Sequence, residues 1–296
     1  MTPDVPGENI ARTVTRRRFL AGGAAASSSL VAGASLAQPA FRFGLTPVFL
    51  DNDAIVVEQI RSTLAVAMGR PIELLQRRTY QEVTALLLEG AIDAAWLCGY
   101  PFLKWKESLS LVAVPVWRGR PLYRSYLIAA RNDPARDLAS LEGGVHAFSD
   151  PDSNSGWLVT ASDLARMDQT PDSFFRRTIF TDGHRNVVRA VANGLTRSGS
   201  VDGYVWEVLS QVEPDLAGRT RVVSRSEWFG FPPIVCRSDR VDAAGIDAFS
   251  RALLTMQDLD AGRVMLRTLH LDGFARPEPQ LFDGIAARMA EVGPQP

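Results

Sequence analysis

Twice along this chain a short apolar run gives way to an amphipathic stretch and then to another apolar run, and this alternation narrows the fold more than any other feature. Phe41-Arg42-Phe43-Gly44-Leu45-Thr46-Pro47 reads as a strand running into a turn, and residues 54–68 carry apolar side chains at helical spacing until Gly69-Arg70-Pro71. A strand over 72–75, a helix over 80–88 closed by Gly90 and a strand over 91–98 follow. Two β-rich runs, 111–117 and 123–130, flank the turn-like Arg118-Gly119-Arg120-Pro121. After Asn132-Asp133-Pro134 the pattern restarts, with a short helix over 138–143, strands at 145–148, 179–180 and 200–204, and helices at 156–167 and 185–193. A strand-like run at 231–236 and helices over 243–257 and 259–269 complete it. Such alternation implies parallel sheets covered by helices. The 296 residues suffice for two α/β units with separate cores.

Residues 1–37 read as an export signal. Thr15-Arg16-Arg17-Arg18-Phe19-Leu20 leads into an Ala/Gly/Ser/Leu stretch that ends at the small-x-small site Ser35-Leu36-Ala37, the pattern of the twin-arginine pathway. The apolar stretch has about half the residues of a spanning helix. The mature chain, starting near Gln38 with no Cys to accept a lipid, is expected to be soluble in the periplasm without membrane insertion. A net charge of -1 leaves no basic excess for a nucleic-acid backbone, so an anion must be held locally. Cys98 and Cys236 would enter an oxidising compartment; a disulfide and two buried thiols both fit their apolar surroundings.

In open parallel sheets, ligands sit beyond the carboxyl ends of strands, which directs attention to Thr46, Cys98-Tyr100, Ser149-Ser155, Thr181-His184 and Asp202-Tyr204. The segment Ser149-Asp150-Pro151-Asp152-Ser153-Asn154-Ser155-Gly156 joins a strand to a helix start, where free N–H groups and the positive dipole end favour an anion. Plain N-capping by Ser153 or Ser155 is the alternative. Tyr100 and Trp157 fit packing as well as a pocket wall.

The stretch from Phe148 to Val159 resembles the Asp-Pro-x-Ser-Thr-Ser-Gly-Phe-Leu-Val segment of the phosphate/phosphite/phosphonate-binding proteins that feed ABC transporters. Thr181-Asp182-Gly183-His184, then Ala190-Val191-Ala192-Asn193-Gly194, and the strand Asp93-Ala94-Ala95-Trp96-Leu97 are similar to further elements of that family in the same order. The resemblance implies a two-lobed α/β periplasmic-binding-protein fold of type II, with lobe one over 38–131 and 232–296 and lobe two over 132–231. It implies that Ser153, Asn154 and Ser155 take a small oxyanion at the helix start, that His184 is a further contact, and that a lobe-one loop bearing Cys98 and Tyr100 closes over it. Asn154 stands where the family commonly has Thr. Tyr204 and Phe231 stand where aminoalkylphosphonate binders carry carboxylates, which points to an inorganic oxyanion or a small alkyl phosphonate, although Asp202 and Glu207 lie close enough in sequence that a shifted alignment would restore an acid.

An enzyme could be assembled from Ser153, His184 and Asp202, but Ser153 lacks the Gly-x-Ser-x-Gly elbow that exposes a nucleophile. His146, His184 and His270 are too scattered for a zinc site. The expectation is therefore a binding protein with no catalysis, cofactor or metal. Its partner would be an ABC-transporter permease or, in a sensing variant that uses Cys98 for arsenite, a periplasmic sensor kinase domain.

Overall fold

The computed structural model describes residues 38–47 and 54–293, so the export-signal reading lies outside the described residues. Strands β1 (Phe41–Leu45), β2 (Ile72–Gln76) and β3 (Ala94–Trp96) alternate with helices α1 (Ala54–Met68) and α2 (Tyr80–Leu88), and β1 pairs in parallel with both neighbours. The tight seat of α2 on this sheet requires Gly44. A Cβ there would fall 2.5 Å from Ile92 Cδ1 and 3.1 Å from Val83 Cγ1. Then come α3 (Gly99–Lys104), β4 (Leu109–Val116) and β5 (Leu122–Tyr123).

The second unit runs β6 (Ser125–Ala130), β7 (Val145–Phe148), α4 (Val159–Ala165), α5 (Pro171–Phe174), β8 (Arg177–Phe180), α6 (His184–Ala192), β9 (Ser198–Asp202), α7 (Gly203–Val212), α8 (Pro214–Ala217) and β10 (Thr220–Arg225). The chain then returns through β11 (Phe229–Gly230) to β12 (Ile234–Arg237), α9 (Ala244–Leu254), α10 (Asp260–Thr268), β13 (Gly273–Ala275) and α11 (Asp283–Val292). One sheet has the order β13-β4-β12-β3-β1-β2, the other β10-β6-β9-β7-β8, and β5 pairs with β11 in a two-stranded ribbon. Gln38–Pro296 forms one compact unit containing both sheets.

Neither sheet is parallel throughout. In the first, β12 is antiparallel to β3 and β4, and β13 to β4; in the second, β6 is antiparallel to β9 and β10. The parallel halves come from the two β-α-β-α-β units, whose helical crossovers return the chain to the same end. Strands β4, β6, β10 and β12 are those through which the chain leaves one sheet and enters the other, while β13 adds to the edge of the first sheet. Ser125–Ala130, expected in the first lobe, pairs with β9 and β10 in the second sheet, so the chain crosses earlier than residue 131.

The cores are aromatic. Phe249 of α9 lies 4.6 Å from Phe41 and 5.0 Å from Phe43, and in the second unit His146 stacks on Phe175 at 4.3 Å. Burying each such ring contributes about 1.5–3 kcal/mol. Strand β9 ends at Asp202 rather than Tyr204, because the Asp202 carboxylate accepts the N–H groups of Tyr204 (2.8 Å) and Val205 (3.3 Å) and starts α7 there. The helix expected over 156–167 begins two residues earlier with a π-helical turn, Asn154–Leu158, in which Leu158 N–H reaches Ser153 O at 3.0 Å.

Candidate functional site

Five strands of the two parallel halves, β2, β3, β7, β8 and β9, each lead at their carboxyl ends into a helix start: Tyr80, Gly99, Asn154, His184 and Gly203. Hydrogen bonds between these starts show that they converge where the sheets face one another. Tyr80 N–H donates to Asp150 Oδ2 at 3.0 Å, Tyr80 Oη lies 3.2 Å from His184 Nε2, and Asn154 N–H donates to Cys98 Sγ at 3.3 Å. The side chains concerned are buried, with Ser153, Asn154 and Tyr80 at zero exposure. Helix starts from both sides, with their positive dipole ends, thus meet at one buried cluster.

The protonation of the cluster follows from its hydrogen bonds. Asp202 N–H donates to His184 Nδ1 at 3.0 Å, so a neutral His184 carries its proton on Nε2 and donates it to Tyr80 Oη. The Tyr80 hydroxyl proton is thereby free for another acceptor. Burial pushes His184 down to about 3, which keeps it neutral at physiological pH. Burial likewise raises the Cys98 thiol to about 11, against the pull of the Asn154 and Tyr100 N–H groups. Asp150 rises to about 6 and Asp202 to about 7, burial in each outweighing the backbone N–H groups they accept.

Of the residues singled out in the sequence, Cys98, Asn154, Ser155 and His184 fall in this cluster. Ser153 borders it as the N-cap of the π turn, its Oγ accepting Gly156 N–H at 3.0 Å. Gly156 itself is obligatory, since a Cβ would lie 1.8 Å from Ser149 Oγ. Asn154 Nδ2 donates to Tyr123 Oη at 2.9 Å. Tyr100 stacks on Trp157 across the two units at 6.2 Å between centroids, beside the Lys104–Asp152 ion pair at 2.8 Å. Tyr204 turns its hydroxyl away to donate to Leu269 O, while its ring packs on Phe231 at 5.1 Å. Phe231 also contacts Tyr123 at 5.7 Å, so one flank of the cluster is an aromatic wall without formal charge. Cys98 and Cys236 are two buried free thiols.

Sequence reasoning missed Tyr80 and Tyr123. Tyr80 was within reach, because it opens the helix after a parallel strand and sits inside the capping box of Thr79 and Glu82, in which both reciprocal bonds form. Tyr123 had no local signal; its role arises from the crossing ribbon that brings it against Asn154.

The family model for ABC-transporter periplasmic phosphonate substrate-binding proteins matches residues 43–282. Among solved structures, the chain is similar to the binding-protein component of a phosphonate ABC transporter from Pseudomonas aeruginosa, at TM-score 0.77 and 20% identity over 85% of each chain. It is also similar to PhnD1 from Prochlorococcus marinus in complex with methylphosphonate, at TM-score 0.75 and 13% identity over 86% of this chain and 98% of that one. Both likenesses bear on the fold, which is the two-lobed type II periplasmic-binding-protein fold.

Proposed function

Because the chain belongs to the family of periplasmic substrate-binding proteins of phosphonate ABC transporters, we propose that the buried cluster captures a small phosphonate and delivers it to a permease. The observation that carries this is the freed Tyr80 hydroxyl: His184, fixed by Asp202 N–H, donates to Tyr80 and leaves its proton for a ligand oxygen. Asn154, Ser155 and Ser153 at the start of the helix in the second unit, and Cys98 and Tyr80 at helix starts in the first, would grip the same headgroup from two sides. In this reading the Asn154 N–H now on Cys98 Sγ turns to the ligand. Tyr100 and Tyr204 act at one remove, Tyr100 as part of the closing edge and Tyr204 as a support for Phe231.

Hinge closure is the mechanism. The cluster is buried, so a ligand enters only when the lobes part, and the liganded form populates the closed state. We place the hinge at the β5–β11 ribbon, where the chain passes between sheets. Export by the twin-arginine route, from the Arg16-Arg17 signal, belongs to the same reading.

The uncharged wall of Tyr123, Phe231 and Tyr204 suits methyl or another short alkyl group, or no substituent, as in phosphite and phosphate. The carboxyl nearest this wall, Asp202, is spent on capping α7 through the Tyr204 and Val205 N–H groups and is raised to about 7 by burial, so an ammonium tail would meet a poorly ionised partner there. Thermal unfolding with methylphosphonate, phosphite, phosphate, aminoethylphosphonate and sulfate tests this. A ligand present at about a hundred times its Kd stabilises the native state by roughly 2.7 kcal/mol, which for this chain length moves Tm by about 5–10 °C. A shift with methylphosphonate and a smaller one with aminoethylphosphonate is expected; no shift with any phosphorus oxyanion would sink the reading.

A further inference from the structure

Asn154 Oδ1 is buried and has no hydrogen-bond partner among the described residues. Nδ2, at the other end of the amide, donates to Tyr123 Oη at 2.9 Å, so the oxygen end is the one left without a partner. Buried amide oxygens are rarely left unpaired, and this one needs a donor. A fully ionised oxyanion offers acceptors only, whereas a phosphonate retaining one hydroxyl supplies that donor.

We propose that the site takes its phosphonate as the singly protonated monoanion, its P–OH donating to Asn154 Oδ1, and discriminates against oxyanions that carry no hydroxyl. This rests on the functional reading above and narrows it to one protonation state. The titratable groups facing the cluster agree. Tyr80 of α2, Tyr123 of β5 and Cys98 ahead of α3 are neutral, as is His184 of α6 in its Nδ1-acceptor form. Asp150 and Asp152 in the loop after β7 and Asp202 before α7 bring carboxyl groups. Tyr100 lies on α3, the Lys104 ammonium is spent on Asp152, and Asp182 before α6 pairs with Arg78 at 3.5 Å. Burying a second negative charge here would bring no matching cation, so a single charge is the smaller penalty.

The test is calorimetric Kd against pH, from about 5.5 to 8.5, for methylphosphonate and for chloromethylphosphonate, whose electron-withdrawing substituent lowers its second ionisation. Affinity should be level below each ligand's second ionisation and fall about tenfold per pH unit above it, since the competent species shrinks by that factor. The fall should begin at lower pH for chloromethylphosphonate. Asp150 and Asp202 titrate in the same range, but they would move both curves together. Methanesulfonate, a monoanion without a hydroxyl, should bind at least a hundredfold more weakly than methylphosphonate at pH 6. Asn154→Thr, whose hydroxyl can donate or accept, should flatten the alkaline fall. Affinity that is flat or rises with pH, or two curves that break at one pH, overturns the inference while leaving phosphonate capture intact. No binding of either phosphonate at any pH overturns both.

Discussion

Ser153 and Ser155 are two residues apart in one loop, yet their hydroxyls have different surroundings and their removal should be told apart. Ser153 Oγ caps the π turn through Gly156 N–H, so Ser153→Ala should lower stability by about 1 kcal/mol as well as weaken ligand. The Ser155 hydroxyl holds no cap. Its loss should weaken methylphosphonate binding about tenfold, the size of one hydrogen bond to a charged group, and leave the urea midpoint nearly unchanged. Calorimetry beside urea unfolding separates the two, and unchanged affinity in both variants would remove the loop from the site.

His146 supplies a second test at this scale. Its ring nitrogens meet Ser198 Oγ at 2.7 Å and Ser200 Oγ at 2.9 Å in a fully buried setting, and burial lowers it from 6.5 to about 3. The unfolded chain therefore takes up this proton first. The stability tied to a neutral His146 is complete above pH 6.5 and drains away as pH falls toward 3. Asp202, raised to about 7, acts in the opposite sense, favouring the fold as pH drops from 7 toward 4, so the net profile of the parent is shallow. Comparison with His146→Gln isolates the histidine: the stability gap between parent and variant should shrink by about 2 kcal/mol between pH 7 and pH 5. A constant gap would mean that His146 does not titrate in this way.

Elements with a strong local pattern were legible in the sequence. The helices at 54–68 and 80–88 and the strand at 145–148 have the expected bounds, because Gly, Pro and capping residues mark their ends. Among the elements not foreseen are α3, α5, α7, α8, β10, β11, β13 and α11, and the strands among them owe their definition to partners distant in the chain. β10 is set by pairing with β6, and α7 is started by a capping carboxylate that reads locally as the end of a strand. The same limit governed the site. The rule that ligands lie beyond parallel strand ends reached Cys98, Asn154, Ser155 and His184, but Tyr123 depends on the ribbon that crosses between sheets. α11 shows how much such long-range ties can hold. Arg288, buried on α11, donates to Ser162 at 3.0 Å and to Glu227 at 2.9 and 2.7 Å, and it also pairs with Asp163, joining the last helix to α4 of the other unit. Asp163 and Glu227 keep partial access to water, which moderates the cost of leaving them unpaired. Arg288→Met should therefore lower the urea-unfolding free energy by about 2 kcal/mol with an unchanged m-value, and a loss under about 0.5 kcal/mol would show that packing alone seats α11.

At the scale of the whole molecule, affinity is the product of grip and closure. A residue outside the cluster should therefore tune binding if it changes how easily the lobes come together. Lys104 is such a residue. Its ammonium reaches from α3 to Asp152 in the loop of the facing unit at 2.8 Å, beside the Tyr100–Trp157 stack, so under the proposed hinge closure the bond belongs to the closed arrangement and would be lost when the lobes part. Asp152 is nearly buried there, and without Lys104 closure would shut a carboxylate away with its partner missing. Lys104→Met should thus raise the Kd for methylphosphonate roughly five- to tenfold, the cost of about 1–1.4 kcal/mol against the closed state. Because the open form is spared, the loss should come with slower ligand-induced compaction in stopped-flow scattering or fluorescence and a larger radius of gyration without ligand. Lys104→Arg, which keeps the charge and can reach the same oxygen, should restore most of the affinity. If Lys104→Met binds like the parent, the ion pair is incidental to closure, and the energy that shuts the cleft must come from the ligand and the aromatic stack alone.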